Sequence, residues 1–459
     1  MKKYIGNKAF YRTLFSIMLP ILLQNVITNF VNLIDNVMVG QVGTEPMSGV
    51  AIVNQLIFVF NLAIFGGLAG AGIFTAQFYG KEDNEGIRYT FRIKWYIALV
   101  TFAAFTAVLL TMGDRLINLY INEGSEELDM ALTLESARSY LKIIMIQLLP
   151  FAITQVYVDT LRSTGETVIP MKASIIAVFV NMFFNYILIF GKFGAPALGV
   201  TGAAIATVLA RFAELAIVVT WTHRHKELNP FIIGAYASPK IPAKLVKTIL
   251  LTGAPLLINE LLWSSGMATL NQCYSCRGLE AISAINIENT AFDLFLCLVH
   301  AMGQTISIII GKLLGAGEIE RAVEDDKKLI LVTVSLNVVI GALILVTAPL
   351  FPQAYNTTAA VRELAARMMR VNGFLMPFYA FTNACYFTLR SGGKTIITFI
   401  FDSAFQWVIC VPAALALSRL TGLTALQMFT VIQLLEIVKC VIGFIMVRQR
   451  KWAVNIVEA

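Results

Sequence analysis

Residues 14–39 read LFSIMLPILLQNVITNFVNLIDNVMV, an apolar run interrupted only by polar, mostly uncharged side chains. A helix that crosses a bilayer needs roughly 20 mostly apolar residues, and this run is longer than that. It is too long for the apolar core of a secretory signal, and no small-residue cleavage site follows it. The stretch therefore predicts a transmembrane helix. It also raises the question of what Asp35 does inside one.

The rest of the chain has the same character. Of its 459 residues, 58% are hydrophobic and only 14% are charged, whereas soluble domains carry about 25% charged residues. The composition and the mean hydropathy of +0.75 predict an all-α integral membrane protein with 12 transmembrane helices. Apolar windows place these helices at 14–39, 50–79, 93–113, 139–161, 168–190, 200–222, 248–274, 281–311, 327–349, 364–389, 396–418 and 424–447.

The basic residues indicate an orientation. If the N-terminus is cytoplasmic, most of the 35 lysines and arginines fall in cytoplasmic segments, as the positive-inside rule requires. We therefore expect a multi-pass protein of the cell inner (plasma) membrane with both termini in the cytoplasm. The net charge of +7 then reflects topology and contact with membrane lipids, and gives no reason to expect nucleic acid as a partner.

The chain also repeats itself. At an offset of 235 residues, Pro20 aligns with Pro255, Gly80 with Gly315, and GTEPMSGVAIVNQ with GLEAISAINIENT. Each half holds six predicted helices, an even number, so the halves are parallel and related by a pseudo-two-fold axis along the membrane normal. We predict an N-terminal lobe over 1–228, a cytoplasmic linker over 229–244 and a C-terminal lobe over 245–459.

Amides and an acid share one face of the first predicted helix. Asn25, Asn29, Asn32 and Asn36 are spaced by four, three and four residues, and Asp35 flanks them. One reading is a polar seam, in which amides bond to neighbouring helices. The other is a water-filled cleft, because ionisable groups in a membrane usually face a cavity or a partner. Four amides and an acid exceed what a seam needs, so the cleft is the preferred reading.

Similar polar groups occur in other predicted helices, where a lipid-facing surface has no use for them. Together with the first helix they outline candidate sites for an ion and for a substrate. The residues are Asn181 and Asn185 in the fifth helix, Glu260 and Trp263 in the seventh, and Asn289, Asp293 and His300 in the eighth.

Chemical motifs argue against an enzyme. The chain has no P-loop, no H-E-x-x-H and no G-x-S-x-G in a strand–turn–helix context. Its C-x-x-C, at Cys273 and Cys276, lacks the second pair that a zinc site needs. A buried carboxylate, by contrast, can be neutralised by a proton or a cation. With no nucleotide site, we expect an ion gradient as the energy source, no resident cofactor, and no metal beyond a possible Na⁺ at Asp35.

Five segments resemble the multidrug and toxic compound extrusion (MATE) family: LPILLQNVITNFVNLIDNVMVGQVG, AQFYGKED, LRSTGET, NYILIFGKFGAPALGVTGAAIATVLAR and GKLLGAGEIERA. The resemblance covers nearly the whole chain. It implies two six-helix lobes and exchange of drugs or organic cations for Na⁺ or H⁺ by rocking alternating access. In that family the first-helix acid corresponds to Asp35, the fifth-helix polar pair to Asn181 and Asn185, and a seventh-helix glutamate of some members to Glu260. With the polar stripes, this predicts ion coupling at Asp35, Asn32, Asn181 and Asn185. The stripes also predict a substrate cavity with Glu260, Asn25, Asn29, Trp263, Asn289, Asp293 and His300.

The sequence departs from the family in its tenth helix. Members with a glutamate like Glu260 also carry an acid in that helix, but MPFYAFTNACYFTLR (376–390) has none. This departure shifts the expected ion coupling toward Asp35 and leaves Na⁺ and H⁺ as alternatives. Cationic or amphipathic small molecules are the expected substrates of what should be a monomer. The alternatives are a lipid-linked oligosaccharide flippase of the same architecture, which would need a cationic cavity, and a membrane scaffold without transport.

Overall fold

The structure is a computed structural model that describes residues 5–119 and 130–458, apart from the side chains of Asn32 and Leu33. Within these residues the chain is helical and contains no β-strand. The α-helices are α1 (Lys8–Gly40), α2 (Thr44–Gly80), α3 (Asn84–Asn118), α4 (Met130–Ile144), α5 (Leu148–Ser163), α6 (Val168–Phe190), α7 (Gly199–Arg224), α8 (Ala243–Ser275), α9 (Leu279–Gly315), α10 (Ile319–Thr347), α11 (Ala359–Ser391), α12 (Thr395–Phe399), α13 (Val411–Leu420) and α14 (Ala425–Arg448).

The predicted all-α membrane fold is confirmed. In the described part of the chain, eleven segments are long and apolar enough to cross a membrane, with α4–α5 and α12–α13 each forming one. The 33-residue α11 completes the twelve predicted positions. Several helices extend beyond their predicted ends, as in α3, because amphipathic turns outside the apolar window continue the backbone hydrogen bonding.

The eleventh predicted helix, 396–418, is not one regular helix. Between α12 and α13 the backbone forms two π-helical turns, Ile400–Ala404 and Gln406–Cys410. A π-turn adds a residue to the helical repeat and redirects the side chains around it, and such turns are frequent at functional sites. Hydropathy does not report this change, since the residues stay apolar.

The chain packs into two compact units. Leu23–Thr75 and Asn84–Lys247 form one, here the N-terminal unit, and Met1–Leu22, Ala76–Asp83 and Thr248–Ala459 form the other, the C-terminal unit. These units are defined by packing, whereas the predicted lobes were defined by the sequence repeat. The lobe boundaries therefore stay a prediction.

The segment that follows α7 is anchored on α3 of the N-terminal unit. Arg92 donates to the carbonyl oxygens of Gly234, Ala235 and Lys240 at 2.8, 2.7 and 2.9 Å. The Phe231 side chain is buried. Hydrogen bonds from one guanidinium to three carbonyls hold a loop whose regular structure is a single short 3₁₀ helix, Pro230–Ile232.

Glycines bring α2 and α9 together within the C-terminal unit. A methyl group added at Gly80 would overlap the carbonyl oxygen of Lys312, and one added at Gly315 would overlap the carbonyl oxygen of Gln77. Both pairs are related by the 235-residue offset of the repeat. Small residues are what let two helix backbones approach this closely in a membrane.

The residues after α14 cover this crossing. The buried Gln77 amide nitrogen donates to the carbonyl oxygens of Ser391 and Val454, and its oxygen accepts from the Ile456 amide at 2.9 Å. Trp452 is fully buried beside them. The tail thus ties the end of α2 to α11.

We expect Gly80→Ala and Gly315→Ala to lower the apparent melting temperature of the purified protein. Overpacking a close contact typically costs about 1–3 kcal/mol, and here backbone atoms would have to move. Gly113→Ala in α3 is the matched control, because a methyl group there would meet only the tip of Leu141 at 3.1 Å. It should be neutral or slightly stabilising, since alanine favours helix by about 1 kcal/mol over glycine. Equal melting temperatures for all three variants would contradict the tight crossing.

Candidate functional site

The candidate site forms on a close helical hairpin, α6–α7. Gly191, with a left-handed backbone, ends α6. Gly202 in α7 lies so close to α6 that an added methyl group would sit 2.6 Å from the Leu188 carbonyl. This approach brings the Thr207 hydroxyl within 3.2 Å of the Asn181 amide. The hairpin therefore fixes an amide that the four-residue spacing already aligns with Asn185.

The structure brings three of the predicted ion-coupling residues together in the N-terminal unit. Asn185 Nδ2 donates to Asp35 Oδ1 at 2.6 Å and to Asn181 Oδ1 at 3.0 Å. Asn181 and Asn185 are buried, and Asp35 is half-buried. A carboxylate in α1 is thus held by two neutral amides from α6, with no ammonium or guanidinium bonded to it among the described residues.

The Asn181 amide has two possible orientations, and each suits a different charge on Asp35. With its nitrogen toward Thr207, Asn181 Oδ1 lies 2.7 and 3.0 Å from the two carboxylate oxygens. Two acceptors at this separation need a proton between them. With the amide rotated, its nitrogen donates to an ionised Asp35 and its oxygen accepts from Thr207. The rotated form, however, sets the Asn181 and Asn185 nitrogens 3.0 Å apart.

An ion pair of α7 lies near this cluster. Arg211 Nη1 is 2.9 Å from Glu214 Oε2, and the Glu214 side chain is almost fully buried. Arg211 also interacts electrostatically with Asp35, as does Tyr140. Because Glu214 already balances Arg211, the guanidinium provides a favourable field for Asp35 without neutralising it.

The other predicted site residues of α1 are Asn25, Asn29 and Asn32. Asn25 and Asn29 are half-buried in the N-terminal unit. The side chain of Asn32 lies outside the described residues. Gln24, which flanks the stripe, accepts a hydrogen bond from Arg162 at 2.6 Å. The contact between Gln24 and Arg162 is of the kind that the seam reading expects beside the stripe, and the roles of Asn25 and Asn29 stay a prediction.

The predicted substrate residues of α8 and α9 lie in the C-terminal unit. Glu260 and Trp263 are half-buried, Asn289 is half-buried, and Asp293 and His300 are exposed. Exposed polar groups on a membrane-spanning helix need water or a polar partner, because lipid cannot solvate them. This placement is compatible with a wet surface, and their role as a substrate cavity stays a prediction.

Two buried polar pairs of the C-terminal unit are not evident from the sequence. Glu288, which the eighth helix places near its outer end, is fully buried and accepts a hydrogen bond from Asn372. Asp402 forms an ion pair with Lys439 at 2.7 Å. The only signal for the second pair was that a lysine stood inside an apolar helix, which implies an acidic partner but does not say which one.

The C-x-x-C motif lies at the C-terminal end of α8. Cys273 and Cys276 are free thiols. Among the described residues, no group of three or more histidine, cysteine, aspartate or glutamate side chains is placed to hold a metal ion.

Comparison with known proteins agrees with the fold and the repeat. The MatE family model matches the chain twice, over residues 20–187 and 255–414. The two matches begin at Pro20 and Pro255, the first pair of the 235-residue repeat. The chain belongs to the MatE family, and two pseudo-symmetric six-helix lobes are the fold of that family.

Relatives and a solved structure support the same assignment to a family of membrane transporters. A probable multidrug resistance protein NorM of Thermotoga maritima is 26% identical, over 89% of this chain and 86% of its own length. A probable multidrug resistance protein YoeA of Bacillus subtilis is 25% identical, over 92% and 90%. A multidrug resistance MATE family transporter of the MOP superfamily matches in fold with a TM-score of 0.84 at 18% identity, over 98% of this chain and 97% of its own.

Removing the acid of the buried ion pair should destabilise the N-terminal unit. Glu214→Gln leaves Arg211 without its counter-charge, and breaking a buried pair typically costs about 3–5 kcal/mol. We expect the lower end, since the Arg211 side chain is partly exposed. The control is Glu363→Gln, which breaks the exposed pair with Arg367 and should cost less than about 1 kcal/mol. Matching losses of thermal stability in the two variants would contradict a structural role for Glu214.

Proposed function

We propose that the protein is a secondary active multidrug efflux antiporter. It exports organic cations or amphipathic drugs from the cytoplasm in exchange for H⁺ or Na⁺. The proposal places the protein in the cell inner membrane as a monomer with cytoplasmic termini, and gives it rocking alternating access. The observation that carries it is the Asp35 carboxylate, held by Asn185 at 2.6 Å inside a membrane-spanning helix.

The substrate class rests on the relatives and on charge. Both bacterial relatives carry the name multidrug resistance protein. The predicted substrate residues include Glu260 and Asp293, and Asp35 adds a third acid. An organic cation complements such groups, because an opposite charge stabilises an ionised carboxylate. A flippase for an anionic lipid-linked sugar would need the reverse polarity, and we do not favour it.

A proton accounts best for the geometry around Asp35. If Asp35 Oδ2 carries the proton, it donates to Asn181 Oδ1 at 3.0 Å. Asn185 then donates to Asp35 and to Asn181, and Asn181 donates to Thr207. With that proton in place, each hydrogen bond among these four residues has a donor and an acceptor, while Asn185 Oδ1 stays without a partner among the described residues.

Na⁺ remains the second candidate, and the donor set also suits it in part. Na⁺ is a hard cation and, like Ca²⁺ and Mg²⁺, takes oxygen ligands. Asn185 Oδ1 is buried and has no hydrogen-bond partner among the described residues. It could serve as a ligand beside the two Asp35 oxygens, together with Asn181 Oδ1. The separations of 2.7 and 3.0 Å between acceptors are those of hydrogen bonds, however, and so favour the proton.

One carboxylate can then serve two states. Ionised Asp35 attracts a cationic substrate, whereas neutral Asp35 does not, so the two ligands compete for one charge. Rotation of the Asn181 amide follows the charge, and α1 can repack against α6 when the carboxylate is neutral. A ligand shifts a conformational equilibrium only through different affinities for the two states, and this site provides such a difference.

Transport by the purified full chain in liposomes tests the proposal, with the proton and sodium gradients imposed separately. We expect one of the gradients to drive efflux of an organic cation dye. Asp35→Asn should reduce that response roughly tenfold or more, within the ~5–150-fold range typical of coupling between two ligands. Glu260→Gln, at matched expression, should retain most of it.

Two outcomes would contradict the proposal. Equal losses in Asp35→Asn and Glu260→Gln, or a larger loss in the second, would contradict coupling at Asp35. If wild-type protein responds to neither gradient but moves a lipid-linked sugar, the result would support a flippase and contradict the antiporter.

A further inference from the structure

The C-terminal unit contains a charged cluster that the proposed function does not use. Lys439 of α14 lies 2.7 Å from Asp402, and both side chains are largely buried. The Lys439 ammonium also lies 5.5 Å from the centre of the Phe401 ring. Taking two charges out of water costs several kcal/mol each, and a buried pair is often no more stable than an apolar pair of similar volume. The pair therefore calls for an explanation other than stability.

The π-turn Ile400–Ala404 builds the acidic side of this cluster. Asn259 of α8 donates to Asp402 Oδ2 at 3.1 Å, while Lys439 occupies Oδ1. The next residue, Ser403, donates to the carbonyl oxygen and to Oδ1 of the same asparagine, at 2.8 and 2.7 Å. Asp402 and Ser403 thus both form hydrogen bonds with the Asn259 side chain of α8. Trp407 fixes the second π-turn by donating to the Leu262 carbonyl at 2.8 Å.

A second carboxylate acts on the same ammonium. Glu436, one helical turn before Lys439 on α14, interacts with it electrostatically and accepts a hydrogen bond from Thr382. Glu260 interacts with Asp402 and is balanced in part by Arg390. The Lys439 ammonium thus contacts one carboxylate, Asp402, and is attracted by a second, Glu436. Carboxylate oxygens are the donor type that hard cations bind.

We propose that Lys439 is a tethered cation that fills the cation site of the C-terminal unit and so confines ion coupling to Asp35. The inference rests on the proposed function. In the N-terminal unit, the Asp35 carboxylate has only neutral amides as bonded partners, so a soluble ion can supply the missing charge. In the C-terminal unit the chain supplies that charge covalently. A cation that is attached to the helix cannot be exchanged, and the unit then takes up no soluble ion during transport.

Neutral variants of Lys439 test this role. The purified full chain carrying Lys439→Met should bind one additional Na⁺ per chain compared with wild type, measured with ²²Na⁺. The additional site should persist in Lys439→Met/Asp35→Asn and disappear in Lys439→Met/Asp402→Asn. Lys439→Arg keeps the charge and should bind no more Na⁺ than wild type.

Stability gives a second readout. NaCl should raise the melting temperature of Lys439→Met relative to choline chloride, and should do so less for wild type. Lys439→Gln serves the same comparison if the methionine variant is too unstable to purify. Neutral variants that fold without the additional site, or that unfold and are not restored by NaCl, would show that Lys439 is only a structural partner. Additional binding that survives Asp402→Asn would also overturn the proposal.

This comparison does not depend on the wild-type gradient response. A negative result here would leave coupling at Asp35 standing, whereas loss of the wild-type gradient response would remove the proposed function itself.

Discussion

The hydrogen bond between Asn185 and Asp35 is the contact on which the functional account depends. A carboxylate in a membrane-spanning helix needs either an opposite charge or polar groups that replace water. Here α6 supplies amides, which stabilise the carboxyl group without fixing its charge. A group held in this way can gain or lose a proton, or exchange it for a cation, while the helices around it stay folded.

The same constraint is met differently in the other unit. Asp402 has an ammonium at 2.7 Å, so its charge is fixed by the chain. Asp402 is not the repeat counterpart of Asp35, because the 235-residue offset aligns Asp35 with Leu270. The repeat therefore preserves the fold without preserving the position of the acid. Gly80 and Gly315 make equivalent close contacts, because the close approach of the two helix backbones requires glycine at both positions. The charge of a buried acid, by contrast, can be stabilised by amides or by an ammonium.

Much of the fold could be predicted from the sequence. Apolar windows located the membrane-spanning segments, and the offset between Pro20 and Pro255 revealed the repeat. Helical spacing placed Asn181 and Asn185 on one face, because residues four apart in one helix are neighbours whatever surrounds them. The resemblance to a known family then assigned Asp35 as their partner, and the hydrogen bond to Asn185 agrees with that pairing.

The contacts between distant segments could not be predicted in this way. Asp402 pairs with a residue of a different helix, and the π-turn that directs it leaves no trace in hydropathy. Glu288 sits near a helix end in the sequence, yet its side chain is buried against Asn372. Thr207 lies beside Asn181 because of the close approach of α6 and α7 at Gly202, which its sequence context does not indicate. Each depends on how helices pack, which one sequence does not specify.

The most direct test of the central claim is the binding of an organic cation to the purified full chain between about pH 5 and pH 9. Binding to wild type should strengthen as the pH rises, because ionised Asp35 attracts the cation and neutral Asp35 does not, and should weaken as the carboxylate is protonated. Asp35→Asn should remove this dependence, while Glu260→Gln should keep it. The same pH dependence in wild type and Asp35→Asn would contradict the account and reduce the Asp35 cluster to a polar contact between helices.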